Sequence, residues 1–431
     1  MLLILILKKI SIKMEKYIIN GGKKLSGEIQ VAGAKNLALK IFPAALLSAK
    51  PCLIKNVPEI EDIQRLIELM ENLGVKITRQ AKGQYLIAPE NITKTQLRPD
   101  LVHWLRSSIM LAGPLLARFG EVTLTHPGGC VIGQRPIDLF WEGFKKMGAQ
   151  MEEQGNNYTL KAKKLIGANI ILPKVSVTVT ENLMMAATLA QGTTYIKNAA
   201  MEPEIIALAD YLNQQGAKIK GAGTPAIIIE GVSELNAGEF QIIPDRIEAG
   251  TFIILGLITK GEIKITGCNP EHLENLLYSL DKAGAKLEIG NDYIITKPSD
   301  LKGTNIITHE YPGFPTDLQA PFTVLMTQAQ GLSLIHETIF DGRLFYTDML
   351  NQMGANIIMC DPHRVVVMGP SQLYGKRVVS PDLRAGMALI LAALTASGTS
   401  TIENVYQINR GYENIVSRLQ NLQADIKQIN D

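Results

Sequence analysis

The chain has 431 residues, 46% hydrophobic and 19% charged, which is enough for more than one core and too apolar for a disordered chain. Its 43 Lys and Arg nearly balance its 41 Asp and Glu; a net charge of +2 makes no general electrostatic case for nucleic acid, so any anion site must be local. The four cysteines, Cys52, Cys130, Cys268 and Cys360, lie far apart without a CxxC pair, so neither a zinc site nor a disulfide framework is expected and the usage suits a reducing cytoplasm.

The N-terminal MLLILILKKISIK carries an apolar run from Leu2 to Leu7 only, too short to span a bilayer and lacking the basic start and cleavage site of a signal peptide. No membrane partner is expected. Translation is expected to start at Met14, which opens a strand-like EKYIING, leaving residues 1–13 as an extension.

Beyond it one phrase recurs at the end of an amphipathic helix: ENLGVKI, KKMGAQM, NQQGAKI, DKAGAKL, NQMGANI and QNLQADI, centred on Gly74, Gly148, Gly216, Gly284, Gly354 and Gln423. Glycine there fits a left-handed residue that ends a helix and releases a strand. A second phrase, an apolar helix that stops and becomes a strand, recurs with stops at Lys50, Gly120, Gly192, Gly261, Gly331 and Gly398. Two different markers thus keep one period of about 70 residues, the mark of an internally repeated architecture. Each unit reads strand, first helix, strand, second helix, two strands; in the first unit these fall at roughly 27–31, 36–48, 51–56, 60–73, 75–79 and 84–88.

The first helices (NLMMAATLA, GTFIILGLIT, GMALILAALTA) are apolar on nearly every side, so they are expected inside, with the sheets outside. A solenoid usually repeats over a shorter stretch. Six units of this size fit an α/β (α+β) chain of two similar domains, each of three βαβαββ repeats: residues 35–243 form one, and 14–34 with 244–431 the other.

Polar residues gather where the buried helices begin, ends that favour anions. The first helix opens GAKNLALK: Lys35 and Asn36 could be a solvated cation and an ordinary cap, but a cation at the positive end of a helix invites an anionic partner. The second unit carries HPGGCVIGQRPIDL, where Cys130 stands among Gly128, Gly129 and Gly133, with Arg135 nearby. It reads either as a tight turn with an incidental Cys or as a thiol of lowered pKa acting as proton donor or nucleophile. Cys52, Cys268 and Cys360, in or beside apolar strands, read as structural. Asp245, Asp317 and Asp382 open later buried helices; N-capping is the commoner fate, a base facing an anionic substrate the alternative. Arg343 (FDGR) and Arg410 (NRGYE) could converge with Lys35 and Arg135 on a phosphate and a carboxylate.

Over 14–431 the chain resembles the UDP-N-acetylglucosamine 1-carboxyvinyltransferases, enolpyruvyl transferases sharing a fold with 5-enolpyruvylshikimate-3-phosphate synthase. The resemblance rests on GAKN (33–36), LRSSI (105–109), PGGCVIGQRPIDL (127–139), KVSV (174–177), EPEI (202–205), PDRIEAGTF (244–252), FPTD (314–317), DLRA (382–385) and NRGYE (409–413). It implies an inside-out α/β barrel and transfer of enolpyruvate from phosphoenolpyruvate to the 3′-hydroxyl of UDP-N-acetylglucosamine, by addition then elimination, with no cofactor or metal. This is the committed step of peptidoglycan synthesis.

By the same resemblance, Cys130 is the acid that protonates the donor's methylene carbon, can carry it as a thioketal and is open to epoxides of the fosfomycin type. Asp317 is the base for the sugar hydroxyl, with Lys35 and Arg410 also catalytic. Lys35, Asn36, Arg135 and Arg410 bind phosphoenolpyruvate. Asn36, Arg106, Arg135, Pro136, Ile137, Asp138, Leu139, Lys174, Val175, Ser176, Val177, Asp317 and Ile339 bind the nucleotide sugar, and Asp382 and Arg384 line the cleft. Thr178 stands where the family commonly has glycine, and Asn409 where it often has Asp. Cys130 and the nucleotide-sugar stretches argue against the shikimate enzyme as the alternative, and apolar inward helices argue against a six-repeat sliding clamp. The resemblance leaves the oligomeric state open.

Overall fold

The computed structural model describes residues 15–128 and 136–430; the readings made for 1–14 lie outside them. Each unit supplies one buried helix: α1 (Lys35–Ala44), α2 (Ala112–Phe119), α3 (Val177–Thr188), α4 (Arg246–Ile258), α5 (Gln319–Met326) and α6 (Leu383–Thr395). α4 buries every residue after Arg246, and α6 every residue before Thr395. Such helices are stable only when surrounded. The strands outside them alternate accordingly, AIIIE at Ala226–Glu230 burying its second and fourth residues and exposing the rest. No helix among the described residues is long and apolar enough to cross a membrane.

The helix-ending phrase does what its chemistry requires. Gly74, Gly148, Gly216, Gly284 and Gly354 have φ between 81° and 103°, and Gln423 follows at 71° although it is no glycine. A third marker escaped the sequence reading. Asn56, Asn198 and Asn404 are left-handed after equivalent strands, their amides donating to Ile242 O, Leu172 O and Ser380 O at 2.9, 2.9 and 2.8 Å.

Among the described residues each unit forms its own sheet, five of four strands and one of three. An edge strand pairs parallel with the strand after the buried helix, and that strand pairs antiparallel with the unit's last strand. In the second unit the edge strand shrinks to a single bridge, Gln96 with Thr123. The N-terminal Glu15–Asn20 inserts between Thr399–Glu403 and Asp425–Asn430, completing the sixth sheet.

One expectation is corrected. The strand assigned to the first unit at 27–31 exists as Ser26–Gln30 but pairs with Glu262–Thr266 of the fourth unit, while the first unit's edge strand is Gly238–Gln241, paired with Cys52–Lys55. The chain therefore crosses twice between halves, and the crossings pair: Gly33 bridges Pro244, Ala34 N donates to Ile243 O at 2.8 Å, and Asp245 N to Ala32 O at 2.9 Å. Gly33 is required there, because a Cβ would lie 1.7 Å from Asn56 O. Two separate cores result, one spanning Ala34 to Ile242, the other Tyr17 to Val31 with Ile247 to Ile426.

A second correction concerns Cys360. Cys52 and Cys268 are buried as read, but Cys360 is exposed, because it lies on the outward-facing part of Ile357–Asp361.

Candidate functional site

Lys35 is the first residue of α1 and is buried. Its Nζ lies 2.8 Å from Oδ2 of Asp62, an equally buried residue in the first turn of Glu61–Asn72. Arg410, from the other half of the chain, donates from Nε to Asp62 Oδ1 at 2.8 Å and from Nη1 to Gln407 at 2.9 Å. Burial pushes the Asp62 carboxyl up, but Lys35 and Arg410 outweigh it and hold it below the usual carboxylate range. Burial lowers the Lys35 ammonium; Asp62 opposes this, and both Arg384 and Arg410 add to it.

Arg384 itself belongs to a second cluster. Asp317 accepts from Arg343 Nη2 at 2.8 Å and from Arg384 Nε at 3.0 Å. Burial opposes its charge, but Arg384 and Arg343 prevail and hold its carboxyl well below the usual range. Arg343 is fixed in turn: its Nη1 donates to Thr316 Oγ1 at 2.9 Å, and that hydroxyl donates to buried Glu337 at 2.8 Å. Glu337 also accepts the backbone N–H of Ile339 at 2.9 Å. Arg384 reaches the hydroxyl of Tyr412 at 3.3 Å.

The carboxylates that open buried helices divide. Asp382 accepts from Arg384 N and Ala385 N at 2.8 and 3.1 Å, and Asp245 from Ile247 N and Glu248 N at 2.8 and 3.0 Å, so both are N-caps. Asp245 additionally accepts Lys35 N at 3.1 Å across the crossing. Asp317 caps nothing; its side chain is 25% exposed and is held, among the described residues, by the two arginines.

The proposed convergence of Lys35, Arg135, Arg343 and Arg410 is thus seen in part. Lys35 and Arg410 share Asp62, whereas Arg343 sits on Asp317; Arg135 and Cys130 lie outside the described residues. Asn36 follows Lys35 in the first turn of α1 and is half-buried. Arg106 opens the turn before α2 and donates to Pro127 O at 3.2 Å. Pro136 and Ile137 lead into Asp138–Lys146, with Ile137 buried, Leu139 half-buried, and Pro136 and Asp138 exposed. Lys174 is exposed, and Val175 leads to Ser176, whose hydroxyl accepts Val179 N at 3.4 Å as the cap of α3, which begins at Val177. Thr178 lies in the first turn of α3, outside the left-handed positions, so no glycine is needed there. Asn409 accepts the hydroxyl of buried Tyr17 at 2.6 Å.

Asp62 and Glu337 escaped the sequence reading. Asp62, an acid in the first turn of a helix, and Glu337, an acid just past a strand, stand in places too common to carry a signal.

Four cations, Lys35, Arg343, Arg384 and Arg410, therefore meet two carboxylates that cap no helix, Asp62 in the first turn of the amphipathic Glu61–Asn72 and Asp317 in the turn before α5. A site with cationic surplus can take a phosphate and a carboxylate, and Asp317 can accept a proton once an anion draws its arginines away.

Residues 19–419 match the EPSP synthase (3-phosphoshikimate 1-carboxyvinyltransferase) family. UDP-N-acetylglucosamine 1-carboxyvinyltransferase 1 of Carboxydothermus hydrogenoformans is 45% identical, covering 97% of this chain and 99% of its own. The UDP-N-acetylglucosamine 1-carboxyvinyltransferase of Desulfosudis oleivorans is 44% identical over 96% and 100%. Among solved structures, the enolpyruvyl transferase NikO from Streptomyces tendae superposes with TM-score 0.88 at 24% identity, covering 97% of this chain and 100% of its own. EPSP synthase from Acinetobacter baumannii gives 0.75 at 19%, with the same coverage; both likenesses speak for the fold.

Proposed function

The chain belongs to the EPSP synthase family and groups there with the UDP-N-acetylglucosamine 1-carboxyvinyltransferases, and from that premise we propose that it moves enolpyruvate from phosphoenolpyruvate to the 3′-hydroxyl of UDP-N-acetylglucosamine, releasing phosphate. The observation that carries this reading is the cationic surplus of Lys35, Arg343, Arg384 and Arg410 around Asp62 and Asp317.

In this reading the donor's phosphate and carboxylate take up Lys35, Arg410 and Arg135, displacing Asp62 as the ligand-free partner. Cys130 gives a proton to the methylene carbon, the sugar oxygen bonds to C2, and Asp317 takes the hydroxyl proton. Expulsion of phosphate with loss of a methyl proton then restores the double bond. Cations already in place stabilise the charge that develops, without reorganising at that moment. The residues come from both halves of the chain. We therefore take the halves as two domains, 35–243 against 14–34 with 244–431, whose closure assembles the site and excludes water. Asn36, Arg106, Arg135, Pro136 to Leu139, Lys174 to Val177 and Ile339 are assigned to the nucleotide sugar.

The shikimate enzyme is the other reading within the family. Proton NMR of the product decides: two vinylic protons on an enol ether of the nucleotide sugar are expected, and unchanged UDP-N-acetylglucosamine beside consumed phosphoenolpyruvate would refute the assignment.

A further inference from the structure

The duplication gives the Lys35–Asp62–Arg410 cluster a counterpart. Lys35 stands 15 residues before the helix stop at Lys50, and Arg246 stands 15 before Gly261. Asp62, Glu204 and His272 each stand 12 residues before the residue ending their helix, at Gly74, Gly216 and Gly284. Between the two clusters lies the Gly33–Pro244 crossing, whose two hydrogen bonds, Ala34 N to Ile243 O and Asp245 N to Ala32 O, are the same bond made from either half. The crossing therefore marks a local two-fold.

Across it the pattern repeats with its charge inverted. On one side α1 of the first unit presents Lys35 to Asp62 of its own unit, whose other carboxylate oxygen takes Arg410 of the sixth. On the other, α4 of the fourth unit presents Arg246 beside His272 of its own unit, and the third unit supplies carboxylates where the sixth supplied Arg410. Arg246 Nε donates to Glu204 Oε1 and Oε2 at 3.1 and 3.3 Å, with both side chains no more than 10% exposed. Its guanidinium lies 5.6 Å from the Tyr311 ring centroid, and Tyr311 N donates to Glu202 Oε1 at 3.4 Å. The Arg246–Glu204 and Tyr311–Glu202 contacts join the two halves, while the Tyr311 ring steadies the guanidinium from its own half.

One cation between two carboxylates leaves no surplus for an anion. We propose that Glu204 and Arg246 form a permanent fastener between the halves, the counterpart of the candidate active site with its ligand's place filled by the protein's own carboxylate, and that this fastener confines opening to the Lys35–Arg410 side. Glu204 and Arg246 are positioning residues: they set how the halves meet when Lys35 and Arg410 close on a ligand. Truncating one partner leaves a buried charge alone and loosens the seam.

The test uses Glu204→Ala, Arg246→Ala and the exchange Glu204→Arg with Arg246→Glu in the full chain. Solution X-ray scattering without ligand should show both single variants more expanded than wild type, and the exchange should restore the compact profile. In phosphate-release assays kcat should fall about tenfold with the donor KM nearly unchanged, since misplaced closure affects chemistry more than binding. If an alanine variant does not fold, Glu204→Gln, which keeps volume and removes charge, takes its place. Wild-type scattering in both single variants overturns the fastener, as does a loss of kcat with unchanged scattering. The scattering result stands whatever reaction the chain catalyses.

Discussion

Asp62 holds Lys35 and Arg410 on its two oxygens, each at 2.8 Å, and so ties the first unit of one half to the sixth unit of the other. All three side chains are buried, and the pair of cations exceeds the charge of the carboxylate between them. Asp62→Asn removes the buried carboxylate that both cations share and should destabilise the ligand-free protein by about 3–5 kcal/mol in denaturant unfolding. Because an anionic donor replaces the lost carboxylate, the rise in melting temperature on adding phosphoenolpyruvate should be larger in Asp62→Asn than in wild type. An equal rise would separate Asp62 from the donor site. The sign with pH also follows: the Asp62 carboxyl is depressed in the folded protein, so its contribution is present above the ordinary carboxylate pKa and is lost as pH falls through the folded value.

Asp317 is a poor base as it stands, since Arg384 and Arg343 hold its proton affinity down. Removing one of them in Arg343→Leu raises that affinity, so the acid limb of the kcat profile should move to higher pH, by about one unit or more. Asp317→Asn should lower kcat by about 10²–10⁴. An acid limb that stays in place in Arg343→Leu would remove Asp317 from the proton transfer.

The helix-ending glycines and all-round apolar helices made the repeat and the burial of α1–α6 legible, because local backbone chemistry and periodicity are written in consecutive residues. What was not legible was partnership across the chain. Ser26–Gln30 is a strand in either half, and nothing local says that it pairs with Glu262–Thr266 rather than Cys52–Lys55. Lys35 and Arg410 stand out in sequence, whereas Asp62, which joins them, looks like any first-turn acid. Apolar neighbours do not tell which face of an edge strand is outward, which is why Cys360 looks structural in sequence and is exposed in the fold.

Glu181 of α3 is fully buried, 3.5 Å from Lys40 Nζ, and neither carboxylate oxygen has a hydrogen-bond partner among the described residues. Burial pushes its pKa to about 8, with Lys40 opposing and Glu204 and Glu202 adding to the rise. Between about pH 4.5 and 8 the folded state keeps a proton that the unfolded chain releases, so stability falls as pH rises. Glu181→Gln should flatten that slope and gain about 2–4 kcal/mol over wild type at pH 8 while matching it near pH 5. Parallel pH profiles for the two proteins would mean that Glu181 does not titrate there.

Exposed Cys360 must be removed before thiol chemistry is informative, while Cys52 and Cys268 are buried and burial raises both thiols, Cys268 to about 11. Cys360→Ser should turn over at the wild-type rate. In that background, alkylation should abolish activity and bound substrates should protect; Cys130→Ala should be inactive. Full activity in Cys130→Ala would remove it as the acid.

The central claim, that the cationic site takes phosphoenolpyruvate and passes its enolpyruvyl group to a nucleotide sugar, is tested most directly by phosphate release with each acceptor in turn. Release is expected with phosphoenolpyruvate and UDP-N-acetylglucosamine together and none with either alone. Release with shikimate 3-phosphate, and none with UDP-N-acetylglucosamine, would contradict it.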